Sequence, residues 1–172
     1  MALDPDDFLI AIGTREKSHS GRTLYEHLSG TRDRLRQWGC EEVTCLAGLY
    51  HSIYGTNAFR RASVDAANRD QVRQVIGAEA ERLVYLFHIL ERPMALVESL
   101  DTFSSFNRKT GEEVELAEDE LTKLIEIESA NLLDQKSGRR FFEYLLDAVE
   151  GSPCEPRPAV LRDIRDYMNV CA

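Results

Sequence analysis

Two consecutive helical patterns, each with a histidine on or beside its apolar side, constrain this chain more than any other feature. From Thr23 onward, apolar and small residues recur at steps of three and four, which is the spacing of one helix face. His27 lies within that stripe, and Gly39 follows the last apolar residue as a helix stop. The pattern therefore predicts a helix over 23–38 with a buried histidine.

The second pattern predicts a helix over residues 41–54. His51 lies one residue from its apolar stripe and opens toward it. Ala47 and Gly48 are small enough to let a neighbouring helix approach closely. The stripe itself consists of Val43, Leu46, Ala47, Tyr50 and Tyr54.

The rest of the chain is also read as mainly helical. Gly77 interrupts the apolar pattern over 69–92, so this stretch is one long helix or two helices that meet there. Asn107 to Gly111 lies between two short extended segments and predicts a small β-hairpin over 103–116. The segment 14–22 is polar and glycine-containing, which predicts a loop. The remaining predicted helices cover 4–12, 94–100, 117–135, 138–150 and 158–170.

Length and pattern together predict an all-α fold with at most one small hairpin, in a single domain over 1–172. The net charge of −9 and the lack of a Lys/Arg block disfavour a nucleic-acid partner. No apolar run approaches the roughly 18 residues of a membrane span. An acidic start is opposite to a secretory signal. The cysteines at 40, 45, 154 and 171 lack metal-site or disulfide spacing, which predicts reduced thiols in a cytoplasmic protein.

The paired histidine helices resemble the HD-domain superfamily of metal-dependent phosphohydrolases. His27 matches the first family histidine, and Ala47-Gly48-Leu49-Tyr50-His51-Ser52 matches the helix that ends in His-Asp. The segment Val-Arg-Gln-Val-Ile-Gly-Ala-Glu-Ala-Glu-Arg-Leu-Val at 72–84 is similar to alarmone hydrolases in particular. The resemblance covers roughly residues 20–135 and implies an HD-like helical bundle, with 138–170 as additional C-terminal helices.

Three features depart from the family pattern. The aspartate that follows the second histidine is Ser52 here, and Gly55-Thr56 replaces the acidic pair that comes next in alarmone hydrolases. In the late helix that carries the last family aspartate, the nearest carboxylate is Glu128. A serine hydroxyl is a poor ligand for a divalent cation because it brings no charge and stays protonated. Ordinary HD chemistry is therefore not expected unchanged.

The candidate metal ligands are His27, His51 and His19, the last of these in place of the missing aspartate. His27, His51 and Glu128 would alternatively form a two-histidine, one-carboxylate set suited to iron or manganese. The expected cofactor is a divalent ion, either iron, manganese or zinc. The opposite interpretation is that the paired histidines are packing residues with hydrogen-bond partners, and that His19 is a surface residue.

Glu128 and Tyr54 are the candidate catalytic groups. The candidate substrate-binding residues could orient an anionic molecule through guanidinium forks, hydroxyls or an amide. The competing interpretations are core tyrosines, arginines in a solvated loop and a salt-bridging glutamate, with His88 as a core histidine. The substrate-binding candidates are Arg22, Arg60, Arg61, Tyr50 and Asn131.

The leading functional prediction is a divergent HD-like enzyme that uses a metal to act on a small anionic or phosphorylated molecule. Hydrolysis is the reaction that the family resemblance implies. One alternative is a mononuclear iron oxygenase or lyase on the same scaffold. Another is a non-catalytic ligand sensor or partner-binding protein with a decayed metal site. The expected partner is a small molecule, and a homodimer is left open.

Overall fold

The computed structural model describes residues 3–19 and 21–170 of the chain. These residues are mostly α-helical, which confirms the predicted all-α class, but they contain two small antiparallel strand pairs where at most one hairpin was predicted. The chain divides into two compact units, Met1–His88 and Ile89–Ala172. The single-domain assignment stays a prediction, because a division into compact units does not establish whether each unit folds independently.

The first unit begins with a short helix whose start follows ordinary capping rules. Asp4 accepts hydrogen bonds from the backbone N–H groups of Asp6 and Asp7, and Pro5 occupies the first helical position. The elements that follow form a short hairpin and a series of helices. They are α1 (Pro5–Ala11), β1 (Ser18–His19), β2 (Arg22–Thr23), α2 (Leu24–Gln37), α3 (Glu42–Tyr50), a 3₁₀ turn (Ala66–Asn68), α4 (Arg69–Ile76) and α5 (Ala78–Ile89).

Helices α2 and α3 pack closely because Gly48 lies where they meet. A Cβ atom at this position would lie 2.3 Å from Leu35 Cδ1, so only glycine fits without a shift. This close contact confirms that the small residues of the second histidine helix allow a neighbour to approach. It places the buried faces of the two histidine-bearing segments against each other.

Two local predictions were wrong in the first unit. The helix predicted over 41–54 ends at Tyr50, because the backbone then forms turns that lead to Gly55 at a φ of +75°. His19 lies in strand β1 rather than in a loop, since it pairs with Arg22 while Ser18 pairs with Thr23. Such a short hairpin has no alternating pattern that a sequence could reveal.

The stretch 69–92 contains two helices that meet at Gly77, which has a φ of +84°. This confirms the glycine break as one of the two readings of the pattern. The core of the first unit is made of large side chains with almost no exposed surface. They include Leu9, Leu24, Leu28, Leu35, Leu49, Tyr50, Ile53, Val72, Leu83, Leu86 and Phe87.

The second unit contains the predicted hairpin and the four remaining helices. Gly111 has a φ of +75° in the turn between the strands, as the hairpin prediction required. The elements are α6 (Met94–Glu98), β3 (Ser104–Phe106), β4 (Glu113–Glu115), α7 (Glu118–Asp134), α8 (Arg139–Val149) and α9 (Pro158–Val170). The core side chains of this unit include Leu96, Leu121, Leu124, Ile125, Phe141, Phe142, Leu145, Leu161 and Ile164.

Among the described residues, no helix combines the length and the apolar character that crossing a bilayer would require.

Candidate functional site: a buried histidine cluster

The two histidines that the sequence singles out converge on one point in the first unit. His27 projects from α2, and His51 caps the C-terminus of α3. Their Nε2 atoms lie 3.2 Å apart, and the exposed fractions of the two residues are 0% and 2%. The close approach of α2 and α3 at Gly48 brings these side chains together. The convergence expected from the two sequence patterns is therefore present.

The outer nitrogens of the pair also have defined partners. His51 Nδ1 lies 2.7 Å from the carbonyl oxygen of Gly48, one turn earlier in its own helix. His27 Nδ1 lies 3.4 Å from Nη2 of Arg22 in strand β2. The edge of the Phe87 ring packs on His51 with ring centroids 5.2 Å apart. Arg22, proposed from sequence as a substrate group, thus contacts the histidine pair directly.

His19 completes the cluster by stacking on His27. The two ring centroids are 4.4 Å apart at an interplanar angle of 30°. Phe59 packs against the His19 ring in a T-shaped arrangement with centroids 4.8 Å apart. His19 Nε2 is buried and has no hydrogen-bond partner among the described residues. Burial, together with the charge of Arg22, lowers the pKa of His19 below its usual value. A lowered pKa favours the neutral form of the imidazole that stacks on His27.

A cavity of about 330 Å³, open to solvent, lies at the hairpin and is lined by Arg22 but by none of the three clustered histidines. Arg22 lines this cavity and also contacts His27, so one side chain connects the cavity to the buried histidines. Three of the lining residues are cationic and two are acidic. The lining consists of Arg15, Glu16, Lys17, Ser18, Gly21, Arg22, Thr23 and Glu26.

Lys17 fastens the segment before β1 to the loop that follows α3. Its Nζ donates to Ser63 Oγ at 2.8 Å and to the carbonyl of Ala62 at 3.3 Å. Burial and the charge of Arg61 lower the pKa of Lys17. Arg60 and Arg61, the other predicted substrate groups, are exposed and do not line the cavity. The charge of Arg61 therefore affects the cavity lining through Lys17.

The two predicted site tyrosines lie in the core of the first unit. Tyr50 is fully buried, and its hydroxyl donates to the carbonyl of Pro5 at 2.7 Å. Tyr54 donates to Oε1 of Glu81 at 3.0 Å. Burial, followed by nearby carboxylates, raises the pKa of both hydroxyls. Both are protonated donors, and the roles assigned to them in substrate binding and catalysis stay predictions.

Sequence reasoning missed a buried carboxylate that organises this region. Glu81 has no exposed side-chain surface and accepts hydrogen bonds from Arg69 at 2.7 and 2.8 Å, from Arg73 at 3.0 Å and from Tyr54. Burial opposes ionisation, but these donors outweigh it and lower the pKa of Glu81. The sequence signal was only the spacing: Glu81 follows Arg69 by 12 residues and Arg73 by 8, on the other side of the glycine break.

Glu128 and Asn131 belong to the second unit. Both are buried on α7, which confirms that Glu128 faces inward. Glu128 Oε2 accepts a hydrogen bond from Arg92, whereas Oε1 is buried and has no such partner within the described part of the chain. Asn131 Oδ1 accepts from Gln135 at 2.6 Å. Their predicted roles as catalytic and substrate-binding residues stay predictions.

Over residues 3–19 and 21–170, no group of three or more His, Cys, Asp or Glu side chains is arranged to hold a metal ion. His88, read from sequence as a core histidine, is buried, and its Nδ1 donates to the Gly55 carbonyl at 2.6 Å. Cys40, Cys45 and Cys154 form no disulfide, as predicted, and Cys171 lies outside the described residues.

Comparison with known proteins places one family model on this region. Residues 8–92 match a family described as a domain of unknown function, DUF6817. The matched segment contains the three clustered histidines, Arg22 and the Glu81 network. No curated protein matches the chain, and no solved structure does. The match covers 85 of the 172 residues, and it carries no activity with it.

Proposed function

We propose that the first unit is an HD-like domain that binds a small phosphorylated anion beside the histidine cluster, in a cytoplasmic protein. The observation that carries the proposal is the position of Arg22. Its guanidinium contacts buried His27 and at the same time lines a cavity with Arg15 and Lys17. A guanidinium held in place is a good partner for a phosphate because its fork of donors matches the phosphate oxygens.

The charge balance of the chain supports an anionic ligand. The protein carries a net charge of −9, yet Arg15, Lys17 and Arg22 meet in one cavity. Like charges repel, so such a grouping costs free energy unless an anion or nearby acids compensate it. Glu16 and Glu26 line the same cavity and offset part of this charge, which leaves one cation in excess in a chain whose net charge is −9.

The HD-like assignment rests on the resemblance together with the helix arrangement. His27 and His51 project from consecutive helices that pack against each other, which is what the resemblance implies for the family histidines. Ser52, at the position of the family aspartate, is buried beside His51. We therefore propose a domain that keeps the scaffold and a phosphate-type ligand, with binding rather than catalysis as its primary role.

A divalent metal fits this site only in part. Two tetrahedral zinc ligands at about 2.05 Å from the metal would be about 3.3 Å apart, close to the observed 3.2 Å. Bonding of His51 Nδ1 to a backbone carbonyl also suits a metal ligand. However, the described residues supply no third ligand, and the Arg22 cation faces His27. The donor set is incomplete, so we assign no reaction step to a metal.

Metal-dependent phosphate-ester hydrolysis is the second candidate, and the spacing of the two Nε2 atoms is the observation that favours it. An iron oxygenase or lyase would need the same missing ligand. Phosphate release that depends on added Mn²⁺ and disappears in His27→Asn would establish hydrolysis in place of simple binding.

Calorimetric titration of the full chain with inorganic pyrophosphate and with guanosine diphosphate tests the leading proposal. We expect saturable binding that Arg22→Gln or Lys17→Gln weakens by about 10- to 100-fold, because each removes a charged hydrogen bond of about 1.5–3 kcal/mol. Arg162→Gln is the matched control, since Arg162 is an exposed arginine of the second unit. The proposal is wrong if neither anion binds, or if Arg22→Gln binds both as tightly as the unmodified protein.

A further inference from the structure

The direction of the hydrogen bond at His51 follows from its partner. A backbone carbonyl oxygen can only accept, so the Nδ1 atom that lies 2.7 Å from the Gly48 oxygen must carry a proton. In the neutral imidazole, Nε2 then has a lone pair and acts as an acceptor. The atom 3.2 Å away, His27 Nε2, is therefore the donor in the contact between the two rings.

The same reasoning decides the tautomer of His27. If Nε2 carries the proton, Nδ1 of the neutral ring has a lone pair. The atom 3.4 Å from it is Nη2 of Arg22, and a guanidinium nitrogen can only donate. One neutral assignment thus fits each of these three contacts: Arg22 donates to His27, His27 donates to His51, and His51 donates to Gly48.

We infer that the His27–His51 pair is a hydrogen-bond relay with fixed tautomers that positions Arg22 and keeps divalent metal off the pair. One end of the relay is a backbone carbonyl in the last turn of α3, where Gly48 allows α2 to approach closely. The other end is a side chain that lines the cavity. Arg22 is therefore aimed by the helices rather than by the short hairpin alone.

Metal binding and the relay require different protonation of His27. A metal held by both Nε2 atoms needs both lone pairs, so the proton of His27 would have to move to Nδ1. That proton would point at the donor of Arg22, and the arginine charge would also repel the metal ion. The residue that makes the site attractive to an anion is the one that makes it unattractive to a metal.

The relay goes beyond the proposed function because it can be tested with no ligand present. Only the idea that the positioned arginine contacts a phosphate rests on the proposed function. Failure of pyrophosphate to bind would therefore overturn the earlier proposal and leave the relay standing.

Long-range ¹H–¹⁵N spectra of the untagged full chain report each imidazole tautomer directly. We expect protonated Nε2 and unprotonated Nδ1 in His27, and the reverse in His51. In Arg22→Gln the neutral amide holds Nδ1 less firmly, so we expect a mixture of tautomers at His27. Arg15→Gln is the matched control, because Arg15 lines the same cavity but stacks on Tyr25 at 5.1 Å. A proton on Nδ1 of His27 in the unmodified protein overturns the relay.

Zinc titration tests the second half of the inference. We expect Arg22→Gln to bind Zn²⁺ about tenfold more tightly than the unmodified protein, because the variant removes a cation that repels the metal ion and opposes a proton on His27 Nδ1. The gain should disappear in Arg22→Gln/His27→Gln, whereas Arg15→Gln and Arg22→Lys should show none. Equal zinc affinity of the unmodified protein and Arg22→Gln, or a gain that survives loss of His27, overturns the exclusion of metal.

Discussion

Two clusters of buried polar side chains in the first unit, one around Glu81 and one around the histidines, differ in how completely their atoms are hydrogen-bonded. Around Glu81, two arginines and a tyrosine supply four hydrogen bonds to one carboxylate, and the Arg69 guanidinium also lies 3.6 Å from the centroid of the Tyr85 ring. The histidine cluster contains three imidazoles and one cation, and His19 Nε2 has no hydrogen-bond partner among residues 3–19 and 21–170. One group is charged and fully paired, whereas the other holds unused hydrogen-bonding capacity.

This difference indicates that the two clusters have different roles. A fully paired buried carboxylate joins the elements that supply its donors, here α4, α5 and the turn after α3, and leaves little for a ligand to bind. A buried nitrogen without a partner is costly to the folded state unless something binds there. We therefore interpret the Glu81 network as the structural support of this unit and the histidine cluster as the part that the proposed function uses.

Substitution at Glu81 should produce the largest loss of stability. Glu81→Gln removes the charge that holds Arg69 and Arg73, and breaking buried ion pairs in this way costs about 3–5 kcal/mol. Their side chains are 22% and 42% exposed, so water compensates partly, and we expect about 3 kcal/mol in urea unfolding. Glu79→Gln, at an exposed site of the same helix, should stay within about 0.5 kcal/mol. A loss below about 1 kcal/mol for Glu81→Gln would contradict the supporting role.

Gly48→Ala should act on the histidine cluster. The added methyl group meets Leu35 Cδ1, the end of a buried side chain, and overpacking of this kind costs about 1–3 kcal/mol, from which the higher helix propensity of alanine removes up to about 1 kcal/mol. The double variant Gly48→Ala/Leu35→Ala should lose less stability than the sum of the single variants, because the space left by Leu35 accepts the methyl group. Additive losses in a thermodynamic cycle would show that the two helices do not meet as described.

The two buried tyrosines offer a narrower test of the same comparison. Tyr54→Phe removes a hydrogen bond to ionised Glu81 and should cost about 2 kcal/mol, because bonds to charged groups are the stronger class. Tyr50→Phe removes a bond to a neutral carbonyl and should cost about 1 kcal/mol. Urea unfolding of both variants measures the difference. The opposite order would mean that Tyr54 contributes little to the Glu81 network.

The smallest expected effect is a pH dependence at His19. Burial and then Arg22 lower its pKa in the folded state, so the unfolded chain takes up the proton first as the pH falls below 6.5. The unmodified protein should therefore lose stability between about pH 7.5 and pH 5.5, and His19→Gln should lose less over the same interval. Identical pH dependence of the two proteins in urea unfolding would place His19 outside the buried cluster.

Much of the helical framework could be predicted from the sequence because apolar periodicity survives without tertiary information. The bounds of α2, α7 and α9 follow that periodicity closely. The end of α3 could not be read in the same way, because the apolar pattern continues through Ile53 and Tyr54 although the backbone has already left the helix. An apolar pattern indicates which residues are buried, and residues in a turn can be buried as well as residues in a helix.

Only the part of the site that depends on which side chains share a helix face could be predicted from the sequence. His27 and His51 lie on the facing sides of neighbouring helices, so their meeting could be expected, and Arg22 was a candidate from its charge. The tautomers of His27 and His51 depend on which ring nitrogen faces which partner atom, and that detail is finer than a helix face can predict. The Glu81 network escaped prediction because its arginines reach the carboxylate from a separate helix.

Thr23 has a consequence for how this region tolerates change in chain length. It is the last residue of β2 and also the N-cap of α2, where it shares reciprocal hydrogen bonds with Glu26. No spacer therefore separates the strand that holds Arg22 from the helix that holds His27. One inserted residue between Glu26 and His27 would rotate the imidazole by about 100° around the helix axis and away from both neighbours. The number of residues between His19 and His27 therefore determines where these side chains lie, and that length is part of the site.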